Sequence, residues 1–183
     1  AKQTRNTRNR WWRMVEDTAE TTHFDAYGPE ACALMQRVTD VLSRIRQDFL
    51  DRFYAGLEEV NDSEQILGSL TPAEQKRLKT VQAEHLDFLL AAQTTQADVL
   101  QKAERLGVAH SLSGVDPLQL TEAYSIYLRR LIDRLESTVI RNDERHRILL
   151  IAEIRIQDDR RDQLQSSQAV QCAYLSCLFV PRP

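Results

Sequence analysis

The chain has 183 residues, enough for one domain with a sizeable core, and 42% of them are hydrophobic, as in an ordinary soluble globule. Its 27 acidic and 24 basic side chains leave a formal charge of −3, which excludes a general attraction to nucleic acid. The three cysteines, Cys32, Cys172 and Cys177, are too scattered for a metal cluster and odd in number, so a disulfide framework is not expected and a reducing cytoplasm is.

Glycine and proline are scarce, five each, while Leu, Ala, Gln, Glu and Arg recur at three- and four-residue spacing, which predicts a single all-α domain. Residues 1–27 read as an N-terminal extension. Its first thirteen residues carry Lys2, Arg5, Arg8, Arg10 and Arg13 without an acid, beside Trp11-Trp12. The two indoles suit packing on the domain or across an oligomer interface better than stacking on nucleic-acid bases.

The main domain is expected over 28–170. Gly28-Pro29-Glu30 is a helix start, with proline in the first turn and an acid favoured by the dipole. Leu34, Val38, Val41, Leu42, Ile45, Phe49, Leu50, Phe53, Tyr54 and Leu57 keep a helical stripe over about 30 residues, read as two consecutive helices meeting at an angle. Asn61-Asp62-Ser63 is a linker. Thr71-Pro72-Ala73-Glu74 is a capping box opening a helix that should reach about Ala92, with Leu78, Val81 and His85 on one face.

A further helix is predicted over roughly Ala97 to Ala109, ending near His110. Gly114 and Pro117 mark a short connection to a helix covering Leu118 to about Thr138. The last helix, about Asp143 to Gln168, spreads Ile148, Leu149, Ile151, Ala152, Ile154 and Ile156 over more than half its circumference, which implies a partner helix. Residues 171–183 read as a tail or linker. The longest apolar stretch, Ala173 to Val180, is far short of the ~20 residues that span a bilayer.

No glycine-rich phosphate loop, paired-cysteine metal site or nucleophile elbow is present, so no hydrolase or kinase apparatus is expected. The residue with the most chemistry is His110, at the end of an apolar-faced helix. A neutral imidazole there is a ready metal ligand, although a lone histidine is more often a hydrogen-bonded core or surface side chain.

Helices in this order, with the aromatic pair Phe53-Tyr54, the capped helix carrying Arg77-Leu78-Lys79, and His110-x-x-x-Gly114 followed by Ala123-Tyr124, resemble the globin-coupled sensor family over roughly Phe24 to Gln168. The resemblance implies a globin fold around a haem b (iron protoporphyrin IX) pocket. It makes His110 the proximal iron ligand, Tyr54 the distal hydrogen-bond donor to bound oxygen, and Leu78 an apolar gate over the iron. Phe53, Val81, Leu106, Val115, Leu120 and Tyr124 become pocket walls by position. Val81 stands where some relatives carry a polar residue, which leaves Tyr54 as the sole distal donor. The family's arginine-isoleucine-glycine ending after the proximal histidine is replaced by Leu112-Ser113-Gly114. His85, seven residues after Leu78, is about two turns away, nearer the haem edge, and a weaker candidate for a sixth ligand. His23 and His146 have no ligand partner nearby in sequence.

By the same resemblance the chain is a cytoplasmic sensor of O2, and of CO or NO, and not itself an enzyme. The helices 118–138 and 143–168 would pair across a homodimer and signal to a C-terminal output domain such as a diguanylate cyclase. The rival expectation is a haem-free globin-like interaction module of a stress-signalling scaffold, which has no reason to keep both His110 and Tyr54. An oxygen-storing or nitric-oxide-detoxifying globin ranks third, because it leaves the apolar excess of the last helix unused.

Overall fold

The computed structural model describes residues 24–58, 68, 70–138 and 141–178, and all of the regular structure among them is helical. In chain order the helices are α1 Pro29–Glu58, α2 Pro72–Leu90, α3 Gln96–Leu112, α4 Pro117–Glu136 and α5 Asn142–Leu178. None is long and apolar enough to cross a membrane. The basic start with Trp11-Trp12, the linker at 61–63 and His23 lie outside the described residues.

Three of the starts follow from local chemistry. Thr71 caps α2 and Thr95 caps α3, each accepting the backbone N–H three residues on, while Glu74 and Asp98 reach back to the cap N–H. Asp116 caps α4 through the N–H groups of Leu118 and Gln119, with Pro117 in the first turn where a missing N–H costs nothing.

Two expectations fail, both for want of a breaker. The stripe from Leu34 to Leu57 is one unbroken 30-residue helix rather than two, because no glycine or proline stands between Pro29 and Gly56. The last helix runs to Leu178, ten residues past its predicted end, since no glycine or proline occurs before Pro181. Residues 171–178 therefore continue α5.

The core lies where α1 crosses α2, α4 and α5. Phe49, Leu50, Phe53, Leu86, Leu89, Leu131, Leu135, Ile148, Ile151 and Ile156 are all buried in it. Phe49, Phe53 and Tyr127 pack as an aromatic triangle, with ring centroids 4.8 Å (Phe49–Tyr127), 5.3 Å (Phe53–Tyr127) and 6.2 Å (Phe49–Phe53) apart. α3 stands apart from this aromatic centre and packs chiefly along α5. Its buried face is small, Val99, Ala103 and Gly107, and so lets the two backbones approach closely. At Gly107 an added Cβ would sit 2.3 Å from the carbonyl oxygen of Gln163.

A buried cation ties the layers together. The Arg155 guanidinium donates to the carbonyls of Ala26 (3.0 Å), Leu89 (3.0 Å) and Ala91 (2.7 Å), joining α5 to the chain entering α1 and to the end of α2. Three charge-assisted bonds to carbonyls offset the desolvation of a fully buried arginine. On α5, Ile148, Ile151, Ala152 and Ile156 are buried as expected, Leu149 and Ile154 are half-buried, and Leu150 is exposed.

Candidate functional site

His110 sits in the last turn of α3, where a tight cap holds the backbone. Gly114 adopts φ +79°, the left-handed conformation that favours glycine. Val115 N–H then donates to the His110 carbonyl (3.0 Å) and Gly114 N–H to the Ser111 carbonyl (3.1 Å), the paired bonds of a Schellman cap. The His-x-x-x-Gly spacing is thus physical: the glycine ends the helix and its neighbour anchors the histidine's own carbonyl. The imidazole is largely enclosed, and its Nδ1 is buried without a hydrogen-bond partner. Burial pushes the His110 pKa below the ordinary 6.5, against smaller opposing effects of the Gln163 side chain and the Asp159 carboxylate. The neutral ring that results is the form that ligates metals.

Behind His110 lies a polar cluster on α5 that the sequence reading missed. Asp159 is fully buried, and its Oδ2 accepts three bonds: from His85 Nε2 (2.9 Å), from Gln163 Nε2 (3.0 Å) and from the Tyr124 hydroxyl. Gln163 Nε2 also donates to the Tyr124 oxygen at 2.6 Å. Burial, with the Asp159 charge next, raises the Tyr124 phenol well above its ordinary pKa, so it stays protonated. Asp159 Oδ1, Gln163 Oε1, His85 Nδ1 and Ser167 Oγ are buried and unpartnered in the same region. These hydrogen bonds join α2 through His85 and α4 through Tyr124 to α5, and His110 of α3 is close enough to feel Gln163 and Asp159.

Sequence reasoning offered His85 as a weaker sixth ligand, but the structure gives it another partner, Asp159, and stacks its ring near Phe88 (6.2 Å). The signal that could have revealed the cluster is phase. Arg155, Asp159, Gln163 and Ser167 follow one another at four-residue steps in continuation of the buried stripe of Ile148, Ile151 and Ala152.

Tyr54 is buried at the opposite end of the aromatic core, 5.3 Å from Phe53 between ring centroids, with Lys79 Nζ 5.1 Å over its ring. Burial raises its pKa also, which keeps the hydroxyl a donor at any physiological pH. An aromatic path runs from Tyr54 through Phe53 and Tyr127 to Tyr124, the last two 6.3 Å apart, and so to Asp159 and Gln163 beside His110. The Tyr127 hydroxyl on this path is buried and unpartnered.

The other expected pocket residues are less enclosed. Phe53 and Leu120 are buried, Leu78, Leu106, Val115 and Tyr124 are half-buried, and Val81 is 44% exposed. Val81 lies in the mostly exposed first half of α2, whose buried residues, His85, Leu86, Leu89 and Leu90, all stand in the second half. Exposed Val108, Leu112 and Leu118 continue the uncovered apolar surface at the α3–α4 corner. Two surface clefts between α1 and α2, one around Leu42 and Leu86 and one around Arg46 and Lys76, include neither His110 nor Tyr54.

The comparisons with known proteins agree with one another. Among solved structures the chain is similar to the ferrous globin domain of E. coli DosC, with a TM-score of 0.66, 12% identity, and coverage of 73% of this chain and 89% of that one. It is likewise similar to the globin domain of a Geobacter sulfurreducens globin-coupled sensor, with a TM-score of 0.62, 18% identity, and coverage of 76% and 89%. A search of curated proteins finds no match. These likenesses make the all-helical arrangement a globin fold. A family model described as Protoglobin matches residues 15–166, most of the chain, and the protein therefore belongs to the protoglobin family.

Proposed function

We propose that this chain is a haem-based gas-sensing domain in which His110 ligates the iron and Tyr54 donates a hydrogen bond to the bound gas. The observation that carries the reading is the placement of the His110 imidazole: held on a tightly capped turn, largely enclosed, and pushed by burial toward its neutral form. The uncovered apolar side chains fit the group as well. Leu78, Val81, Leu106 and Val115 are only partly enclosed by the described chain, and a flat apolar macrocycle would cover such surfaces.

Haem b, when bound, supplies a ferrous centre that takes O2, CO or NO. The protein's part is to present a neutral ring nitrogen from a rigidly capped turn, to hold a protonated phenol at Tyr54, and to limit water entry with Leu78. A signal would leave through α4 and α5, which carry the cluster behind His110 and display Leu118 and Leu150 to solvent. In this reading those helices pair in a homodimer and act on an output domain such as a diguanylate cyclase, in a reducing cytoplasm.

The close packing of Phe49, Phe53 and Tyr127 beside Tyr54 favours a second reading, a haem-free interaction module whose interior is already filled. Absorption spectra of the purified protein, before and after hemin addition, dithionite reduction and CO, separate the two. A Soret band that shifts on gas binding, and is lost in His110→Ala, is the expected result. Absence of any haem band after hemin titration, or a normal ferrous spectrum in His110→Ala, would overturn it.

A further inference from the structure

We infer that Gln163, on α5, is a positioning residue for His110, its Oε1 accepting the hydrogen bond of the imidazole Nδ1–H and leaving Nε2 for the iron. The inference rests on the haem reading above and deepens it.

The orientation of the Gln163 amide is dictated by its neighbours. A carboxylate only accepts, so the group facing Asp159 Oδ2 at 3.0 Å must be the Nε2 donor, which also reaches the Tyr124 oxygen at 2.6 Å. Both amide protons are thereby engaged, and Oε1 is left as a buried acceptor without a partner. His110, whose ring the Gln163 side chain influences directly, has the complementary lack: a buried Nδ1 that must carry the proton if Nε2 is to bind a metal. One unpaired acceptor and one unpaired donor, both atoms buried, are each costly alone, and pairing them satisfies both.

The backbone reinforces the match. Gly107 lies so close to Gln163 that an added Cβ would also fall 2.9 Å from its Cα, so α3 and α5 touch without intervening side chains one turn before His110. Asp159 and Tyr124 then hold the amide from behind, in the way a carboxylate orients a ligating histidine through an intermediate group. An acceptor on Nδ1–H raises the basicity of the ring and fixes its rotation.

The test uses the hemin-loaded protein and compares wild type with Gln163→Leu, Gln163→Glu and Tyr124→Phe. The readouts are hemin affinity and the iron–histidine stretching band of the reduced protein by resonance Raman, with circular dichroism to report helicity. Gln163→Leu is expected to weaken hemin binding by about 10- to 100-fold and to lower the stretching frequency. Gln163→Glu keeps an acceptor, one carboxyl of the facing pair taking up a proton because two carboxylates 3.0 Å apart do not both ionise, so the band is expected to stay at or above the wild-type frequency. Tyr124→Phe removes one hold on the amide without removing the acceptor, so a smaller downward shift is expected. A merely structural role for Gln163 would change melting temperature and leave the band in place.

An unchanged band in Gln163→Leu overturns the inference alone. Should that variant fail to fold, an unchanged band in Tyr124→Phe does the same. If wild-type protein takes up no hemin, or His110→Ala retains the normal band, the ligand assignment itself falls and this inference with it.

Discussion

Gly107→Ala probes the contact on which the placement of His110 depends. The added methyl would lie 2.3 Å from the Gln163 carbonyl oxygen, 2.9 Å from its Cα and 2.9 Å from Ser166 Cβ. The first distance is about 1 Å inside ordinary van der Waals contact, and two of the three atoms are backbone, so no rotamer change relieves the clash and the helices must separate. Overpacking of this kind costs ~1–3 kcal/mol, and backbone contacts place it near the upper figure. Alanine recovers ~1 kcal/mol of helix preference, since Gly107 has ordinary helical geometry. The net loss is about 2 kcal/mol, or a fall in Tm of roughly 4–8 °C for a chain of this size. Thermal melts followed by circular dichroism would measure it. Gly56→Ala serves as the milder comparison, because its nearest neighbour at 2.8 Å is a side-chain methyl, Ile126 Cγ2, and not backbone. A Gly107→Ala protein that melts at or above the wild-type temperature would refute the reasoning.

Two further outcomes are expected. Gly114→Ala meets no atom within 4 Å but must hold φ +79°, so it should cost about 1 kcal/mol in a urea titration and reduce hemin affinity by loosening the cap that carries His110; equal stability would show that the turn relaxes. Tyr54→Phe removes a donor whose bond to a charged acceptor is worth ~1.5–3 kcal/mol, so oxygen should leave the reduced protein about tenfold faster or more by stopped flow, and unchanged kinetics would take Tyr54 out of the gas-binding role.

Helix starts were legible because they rest on few residues close in sequence. Thr71 with Pro72 and Glu74, and the stop at Gly114 before Pro117, specify their caps locally, and the structure shows them there. Helix continuity was harder to read, because it depends on the absence of a breaker and on tertiary support. The angle expected within Leu34 to Leu57 has no residue to produce it, and α5 persists past Gln168 for the same reason. Within the candidate site, His110 stood out by residue type and Tyr54 through the family resemblance. Asp159 and Gln163 did not, because they lie in Asp158-Asp159-Arg160-Arg161-Asp162-Gln163, a run whose composition describes a solvated surface. Half of that run is buried all the same, since a helix turns its residues inward by position and not by polarity.

The length of α5 also sets a register. Beyond Ser167, the last buried residue described on α5, the helix continues to Leu178, and those eleven residues reach about 16 Å at 1.5 Å each. An α-helix advances about 100° per residue, so anything fused behind Leu178 inherits a fixed azimuth relative to Gln163. Lengthening the rod by one residue would swing that attachment by about 100°, whereas seven residues would restore it to within about 20°. In such a fusion, coupling to the domain should rise and fall with the number of inserted residues, following the pitch of a screw.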